Sequence, residues 1–299
     1  MLTASATFLV VSITNVPDAM ATVRDVLSDI SGLVKTVAFR DLDGQMNCTV
    51  GVGARVWDEL MRQPRPSELV TFQEVKGAKH TAVSTPGDLL FHIRANRADL
   101  CFEFERILLE KLGNSVVVQD EVSGFRYFDE RDLLGFVDGT ANPVGPHAPQ
   151  ATLVGDEDPE VAGGAYVLVQ NYHHDLQTWG ATTVEQQEAV IGRTKLDNIE
   201  LPDAVHGQKS HKTLNTINVD GVEFDILRDN MPFGSVADGV FGTYFIGYCR
   251  YFWVLQRMIE RMFIGDPPGL HDRILDFSTA TTGTLFFAPP ASMLDALGD

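Results

Sequence analysis

Two hydrophobic periods alternate along the first half of the chain. Residues 6–13 are rich in β-branched and aromatic side chains, as strands are. Asn15-Val16-Pro17-Asp18 then offers a helix start, with capping chemistry and an early proline. Met20, Val23, Val26, Leu27 and Ile30 follow at helical spacing. Residues 34–39 and 48–52 read as strands, 57–61 as a short helix and 89–93 as another strand. Leu100, Phe104, Ile107, Leu108 and Leu112 mark an amphipathic helix, which Gly113 is suited to end. Residues 115–118 return as a strand. The order is roughly β-α-β-β-α-β, the ferredoxin-like arrangement.

Residues 141–164 break the pattern. Four prolines and four glycines interrupt any period, and proline removes a backbone donor, so no regular element is expected there. This stretch is the linker candidate, dividing the chain into domains at 1–145 and 146–299. Beyond it, residues 165–170, 222–227, 243–249 and 285–288 read as strands. Residues 184–191 and the stripe Leu255, Met258, Ile259 and Met262 read as helices. The second half could repeat the first architecture, although no internal sequence repeat is visible. The fold class is α+β, with two ferredoxin-like domains built on antiparallel sheets.

Composition narrows the function classes. A chain of 299 residues suits about two domains, and 44% apolar with 21% charged residues excludes a disordered, collagen-like or coiled-coil protein. The net charge of −18 disfavours nucleic acid and anionic membranes. Three scattered cysteines with no CxxC pair argue against a disulfide framework or a thiolate metal site. The amino-terminal apolar run is short, lacks a basic flank and reads as a first strand rather than a signal peptide. No window approaches the length of a membrane span. A soluble, reduced, cytoplasmic protein is the expectation.

Eight histidines are present, without an HExxH pair. On spacing alone each is more often structural than ligating. His173 and His174 are adjacent, so on a strand they face opposite sides. In Gly135-Phe136-Val137-Asp138-Gly139-Thr140, an Asp between glycines is ordinarily a turn residue. Equally, small neighbours let a flat ligand approach the backbone, with Asp138 projecting a carboxylate over it. Arg228, in LRDNMPFG, reads either as an ion-pair residue or as a fixed planar cation aimed at developing negative charge.

GFVDGTANP, the Ser210-His211 pair, VIGRTK at 190–195, SGFRYFDERDLLGFVDG at 123–139 and LRDNMPFG together resemble the dye-decolourising peroxidases, their bacterial B-type branch most closely. The resemblance runs from about residue 5 to 290. It implies one haem b per chain, held mainly by the C-terminal domain, with His211 as proximal iron ligand. Asp138 and Arg228 match the distal pair, and Asn230 a distal asparagine of part of the family. Gly139, Thr140, Arg193 and Arg228 are candidate haem contacts, Arg228 through a propionate and Arg193 having an equally good reading as a structural ion-pair residue. Asp272 matches the acid that would orient His211, or else starts a short helix. The implied reaction reduces hydrogen peroxide through a ferryl haem and oxidises dyes, phenolics or similar one-electron donors. Asp138 would shuttle the proton and Arg228 would stabilise charge.

For Trp57, Trp179, Trp253, Tyr244, Tyr248 and Tyr251, core packing is the favoured reading over a surface oxidation site. The alternative function is a haem- or porphyrin-handling protein with incidental peroxidase activity. A chlorite-dismutase-type enzyme ranks lower, because that family lacks GxxDG. This branch commonly forms homo-oligomers, so one is expected here. The chain stops soon after its last strand, at residues 291–299, and no loading into an encapsulin shell is expected from it.

Overall fold

The computed structural model describes residues 3–204 and 206–298. Ten strands form one antiparallel sheet. They are β1 (Ser5–Ile13), β2 (Asn47–Gly53), β3 (Leu89–Ala95), β4 (Val116–Phe125) and β5 (Ala165–His174). The remainder are β6 (Leu227–Arg228), β7 (Met231–Ser235), β8 (Val240–Cys249), β9 (Ser278–Ala280) and β10 (Thr284–Ala288). Their spatial order is β6-β8-β5-β10-β2-β3-β1-β4, with β7 also beside β8 and β9 beside β5.

That order contains one pattern twice. In β2-β3-β1-β4 the first strand lies between the third and fourth, and the second lies outside the third. The run β6/β7-β8-β5-β10 repeats this, so both halves are ferredoxin-like although their sequences show no repeat. The halves meet edge to edge where Phe286 and Phe287 of β10 pair with Gly53 and Val52 of β2.

Strand alternation sorts the side chains into two layers. Leu9 and Val11 of β1 join the cluster beneath the helices. Phe8 and Val10, on the other face, join Leu90, Val167, Val169 and Ile246 in a core shared by the two halves. The Phe8 ring stacks on Tyr244 at 4.2 Å and on His92 at 4.8 Å. The sheet therefore folds over itself, with helices outside and one buried layer between. Ile246 is fully buried in that layer. Ile246→Val is expected to cost about 0.5–1.5 kcal/mol, read as a lower denaturation midpoint at unchanged m-value.

Three local expectations change. Residues 34–39 are not a strand: the helix Ile30–Ala38 covers most of them. Ile30, Leu33 and Val37 share its buried face, so the helical period prevails over the β-branched composition. The stretch 141–164 carries the helix His147–Thr152 and the 3-10 turn Pro159–Val161. Its prolines at 149 and 159 occupy first turns, where no backbone donor is missed. Residues 222–227 split between a small hairpin, Ile217–Val219 with Val222–Phe224, and the start of β6. Among the described residues no helix is long and apolar enough to cross a membrane.

Candidate active site

A cavity of about 520 Å³ lies between the C-terminal part of the sheet and the helices covering it. Alternation on β5 turns Gln170, Tyr172 and His174 toward it, while β8 offers Thr243 and Phe245. The helix Phe252–Phe263 closes the apolar side with Leu255, Met258, Ile259 and Met262. This is the stripe that the helical period marked in the sequence.

His211 opens the short helix His211–Asn215, whose first turn Ser210 caps by accepting from the Thr213 N–H at 3.4 Å. Its Nδ1 lies 2.6 Å from Oδ2 of Asp272. Asp272 is fully buried, and its Oδ1 accepts from the Ile274 N–H at 3.1 Å. The acid thus caps the turn Arg273–Asp276 and contacts the imidazole at once. This contact engages Nδ1 and leaves Nε2 as the ring nitrogen open to a ligand. The Asn215 amide donates to the His211 carbonyl at 2.9 Å and holds the helix turn in place.

Asp138, Arg228 and Asn230 also line the cavity. Gly139 has φ +77°, a region that favours glycine, and the chain reverses there. Both Asp138 oxygens are oriented: Oδ1 accepts from the Gly139 N–H at 2.6 Å and Oδ2 from the Asn230 amide at 2.9 Å. Asn230 is itself anchored, its Oδ1 accepting from the Ile246 N–H at 3.0 Å. The Arg228 guanidinium stands 3.9 Å from Asp138 Oδ1, close enough for field effects and too far for a direct hydrogen bond. Among the described residues no hydrogen bond engages its guanidinium. A smaller hollow of about 40 Å³ lies against the same three side chains and includes Gly139.

Sequence reasoning passed over Asn142. Its amide donates to the Arg228 carbonyl at 2.7 Å, and its oxygen accepts from the Arg228 N–H at 3.0 Å. One side chain thus splices the 138–142 loop to the two-residue strand β6. The signal was present, since Asn142 belongs to GTANP. Asp132 was also missed. Burial pushes its carboxyl up to about 7, and the neighbouring Asp138 charge adds to the rise. His174, which lines the same cavity, is pushed down to about 4 by burial. Its ring nitrogens meet Ser278 Oγ and Thr243 Oγ1, both at 2.8 Å.

Arg193 reaches the cavity wall, but its guanidinium binds the Asn198 carbonyl at 3.0 Å and pairs with Glu200. Thr140 also lines the cavity, and its hydroxyl accepts from the Asn198 amide at 2.9 Å. The aromatic pool is largely core: Trp57, Trp179, Tyr244 and Tyr248 are buried, while Tyr251 and Trp253 are half-buried.

Known proteins resemble this chain over nearly its whole length. A dye-decolorizing peroxidase of Mycobacterium tuberculosis is 54% identical over 295 residues, covering 98% of this chain and 88% of its own length. The solved structure of DyPB from Rhodococcus jostii RHA1 superposes with a TM-score of 0.97 at 54% identity, covering 100% of this chain and 96% of that one. A variant of that protein solved in complex with heme matches at a TM-score of 0.96 and 53% identity, covering 99% of this chain and 96% of its own. The family models for the N-terminal and C-terminal parts of Dyp-type peroxidases match residues 2–126 and 129–293. By sequence and by fold alike, the chain belongs to the Dyp-type peroxidases.

Proposed function

We propose that His211 would hold haem b in the 520 Å³ cavity and that Asp138 and Arg228, which line the same cavity, would activate hydrogen peroxide there. The chain is a haem peroxidase of the dye-decolourising type. The observation that carries the assignment of roles is one cavity lined both by an oriented imidazole and by an oriented carboxylate with an uncommitted guanidinium beside it. The walls suit the group. The apolar stripe fits a porphyrin face, and Gln170 adds a buried Nε2 donor with no hydrogen-bond partner among the described residues. The haem-handling alternative is not favoured, because the relatives matching nearly the whole chain are peroxidases.

When bound, haem supplies the redox centre that accepts two oxidising equivalents from peroxide and returns them in one-electron steps. The protein supplies the rest. Asp138 takes the proton from the near peroxide oxygen and delivers it to the far one, which leaves as water. Gly139 and Asn230 keep both carboxylate oxygens aimed for that transfer. Arg228 stabilises the negative charge that builds as the O–O bond breaks. Two donor molecules then each give up an electron and a proton, so one peroxide becomes two waters. Asp272 holds the imidazole tautomer throughout.

The test is an absorption spectrum after haem reconstitution, before and after one equivalent of peroxide. A Soret band that responds to peroxide in the parent protein and is lost or shifted in His211→Ala is expected. An unchanged band in His211→Ala would overturn the ligand assignment.

Activity is expected to favour acid pH. Asp132 is neutral below about 7 and ionised above it. Each ionisation adds a negative charge to the wall where Arg228 must stabilise negative charge, so turnover falls as pH rises through that value. Asp132→Asn should flatten this limb, which a pH–rate profile of both proteins checks. An optimum well above neutrality would count against Asp138 as the base.

The same reading takes 1–145 and 146–299 as the two domains, and dyes, phenolics or similar small molecules as electron donors. It further takes the protein to be a cytoplasmic homo-oligomer without nucleic-acid or membrane partners. Light scattering of the purified protein tests the oligomer.

A further inference from the structure

Away from the cavity, His80, His271 and Asp276 converge. The Nε2 atoms of His80 and His271 lie 3.2 and 3.1 Å from the same Asp276 Oδ1. The two imidazoles meet edge-on, with centroids 4.8 Å apart and planes at 65°. All three ligand atoms lie within 4.8 Å of one another. We propose that His80, His271 and Asp276 form a second metal site, taking a borderline divalent cation of the Zn²⁺ class.

The distances suit such an ion. A tetrahedral zinc with bonds of about 2.0–2.1 Å separates its ligand atoms by about 3.3 Å, close to both histidine–aspartate distances. Two imidazoles and one carboxylate are the donors zinc prefers over calcium or magnesium. Each side chain is about one-fifth exposed, partly withdrawn from water yet reachable. The competing charges are divided between the carboxylate oxygens. Lys79 pairs with Oδ1, while Arg273 approaches Oδ2 at 3.7 Å. A metal on Oδ1 must displace only Lys79, whose side chain is 60% exposed and free to swing into solvent.

The ligands come from two places held by packing. His80 sits at the tip of the hairpin between residues 76 and 81, where the Gly77 N–H donates to the His80 carbonyl at 2.9 Å. A Cβ at Gly77 would lie 1.9 Å from the Phe263 carbonyl oxygen, so the hairpin abuts the end of the helix Phe252–Phe263. His271 directly precedes Asp272, and its carbonyl accepts from the Gln208 amide at 2.9 Å. A bound metal would thus tie the N-terminal hairpin to the loop that presents Asp272 to His211. None of the three ligands lines the cavity, so the site is separate from that of the haem.

Calorimetric titration of the haem-loaded protein with Zn²⁺ tests this, because loading keeps His211 from competing. One Zn²⁺ per chain is expected in the parent protein, with Mn²⁺ weaker. Binding should weaken at least tenfold in His80→Ala and in Asp276→Asn, and tighten severalfold in Lys79→Ala. An unchanged Soret band in each variant shows that it has folded. Absence of Zn²⁺ binding to the parent protein below millimolar concentration, or binding unchanged in His80→Ala, would overturn the site, as would weaker binding in Lys79→Ala.

Discussion

Arg228→Leu is expected to slow the first reaction with peroxide by about 10²–10³-fold, the usual effect of removing a group that stabilises developing charge. Asp138→Ala should slow it less. A proton can travel through a water that replaces a lost carboxylate, whereas the other cations lining the cavity, Arg193 and Lys212, are paired with Glu200 and Asp203. The geometry sharpens this ranking. The 3.9 Å separation keeps Arg228 from being spent on Asp138. Asn142 grips the backbone of Arg228 on both its N–H and its carbonyl. Asn142→Ala should therefore move in the same direction with a smaller effect, by loosening the strand and leaving the guanidinium in place. Stopped-flow measurement of how fast one equivalent of peroxide changes the haem spectrum checks all three variants. Equal rates for Arg228→Leu and Asp138→Ala would remove the ranking.

The second large effect is expected at Asp272. Replacing it by Asn keeps the shape and an oxygen to cap the Arg273–Asp276 turn, but removes the charge 2.6 Å from His211 Nδ1. Partners of this kind raise ligand basicity, and their loss costs about 10–100-fold in metal affinity or activity. Asp272→Asn should release haem faster to an apoprotein acceptor and raise the ferric/ferrous potential, because a less basic imidazole favours Fe(III) less. Since Asp272 is wholly buried, Asp272→Ala would also leave the Ile274 N–H without its acceptor and confound the comparison. A potential unchanged in Asp272→Asn would mean that the acid only caps the turn.

How much of this was legible in the chain can be followed residue by residue. The alternation at residues 6–13 and the stripe from Leu255 to Met262 are local patterns, and both elements formed where the pattern put them. At 34–39 local composition misled, because burial of Ile30, Leu33 and Val37 against the core outweighs a β-branched preference. At 141–164 proline was read as a barrier, yet at a first turn its missing donor costs nothing. GFVDGT, the Ser-His pair and LRDNMPFG carried the site's identity, because such motifs record backbone geometry and side-chain chemistry within a few residues of chain.

The partnerships are a different matter. Asn142 with Arg228 spans 86 positions, Asp138 with Asn230 spans 92, and His80 with Asp276 spans 196. Asp132 is raised by burial beside Asp138, and burial belongs to the folded cavity rather than to any segment. The duplicated architecture was expected from the β-α-β-β-α-β order and the family resemblance, yet no sequence repeat records it, since antiparallel pairing constrains which positions are apolar and leaves their identities free. By itself the sequence determined an acidic two-part α+β chain with too few cysteines for thiolate ligation, and a short set of motifs matching a haem peroxidase. Only the tertiary structure decided which side chains share a wall and how closely the matched groups approach one another. Hydrogen bonds and charges act over a few ångströms of space, and the chain brings those groups together only after it has folded.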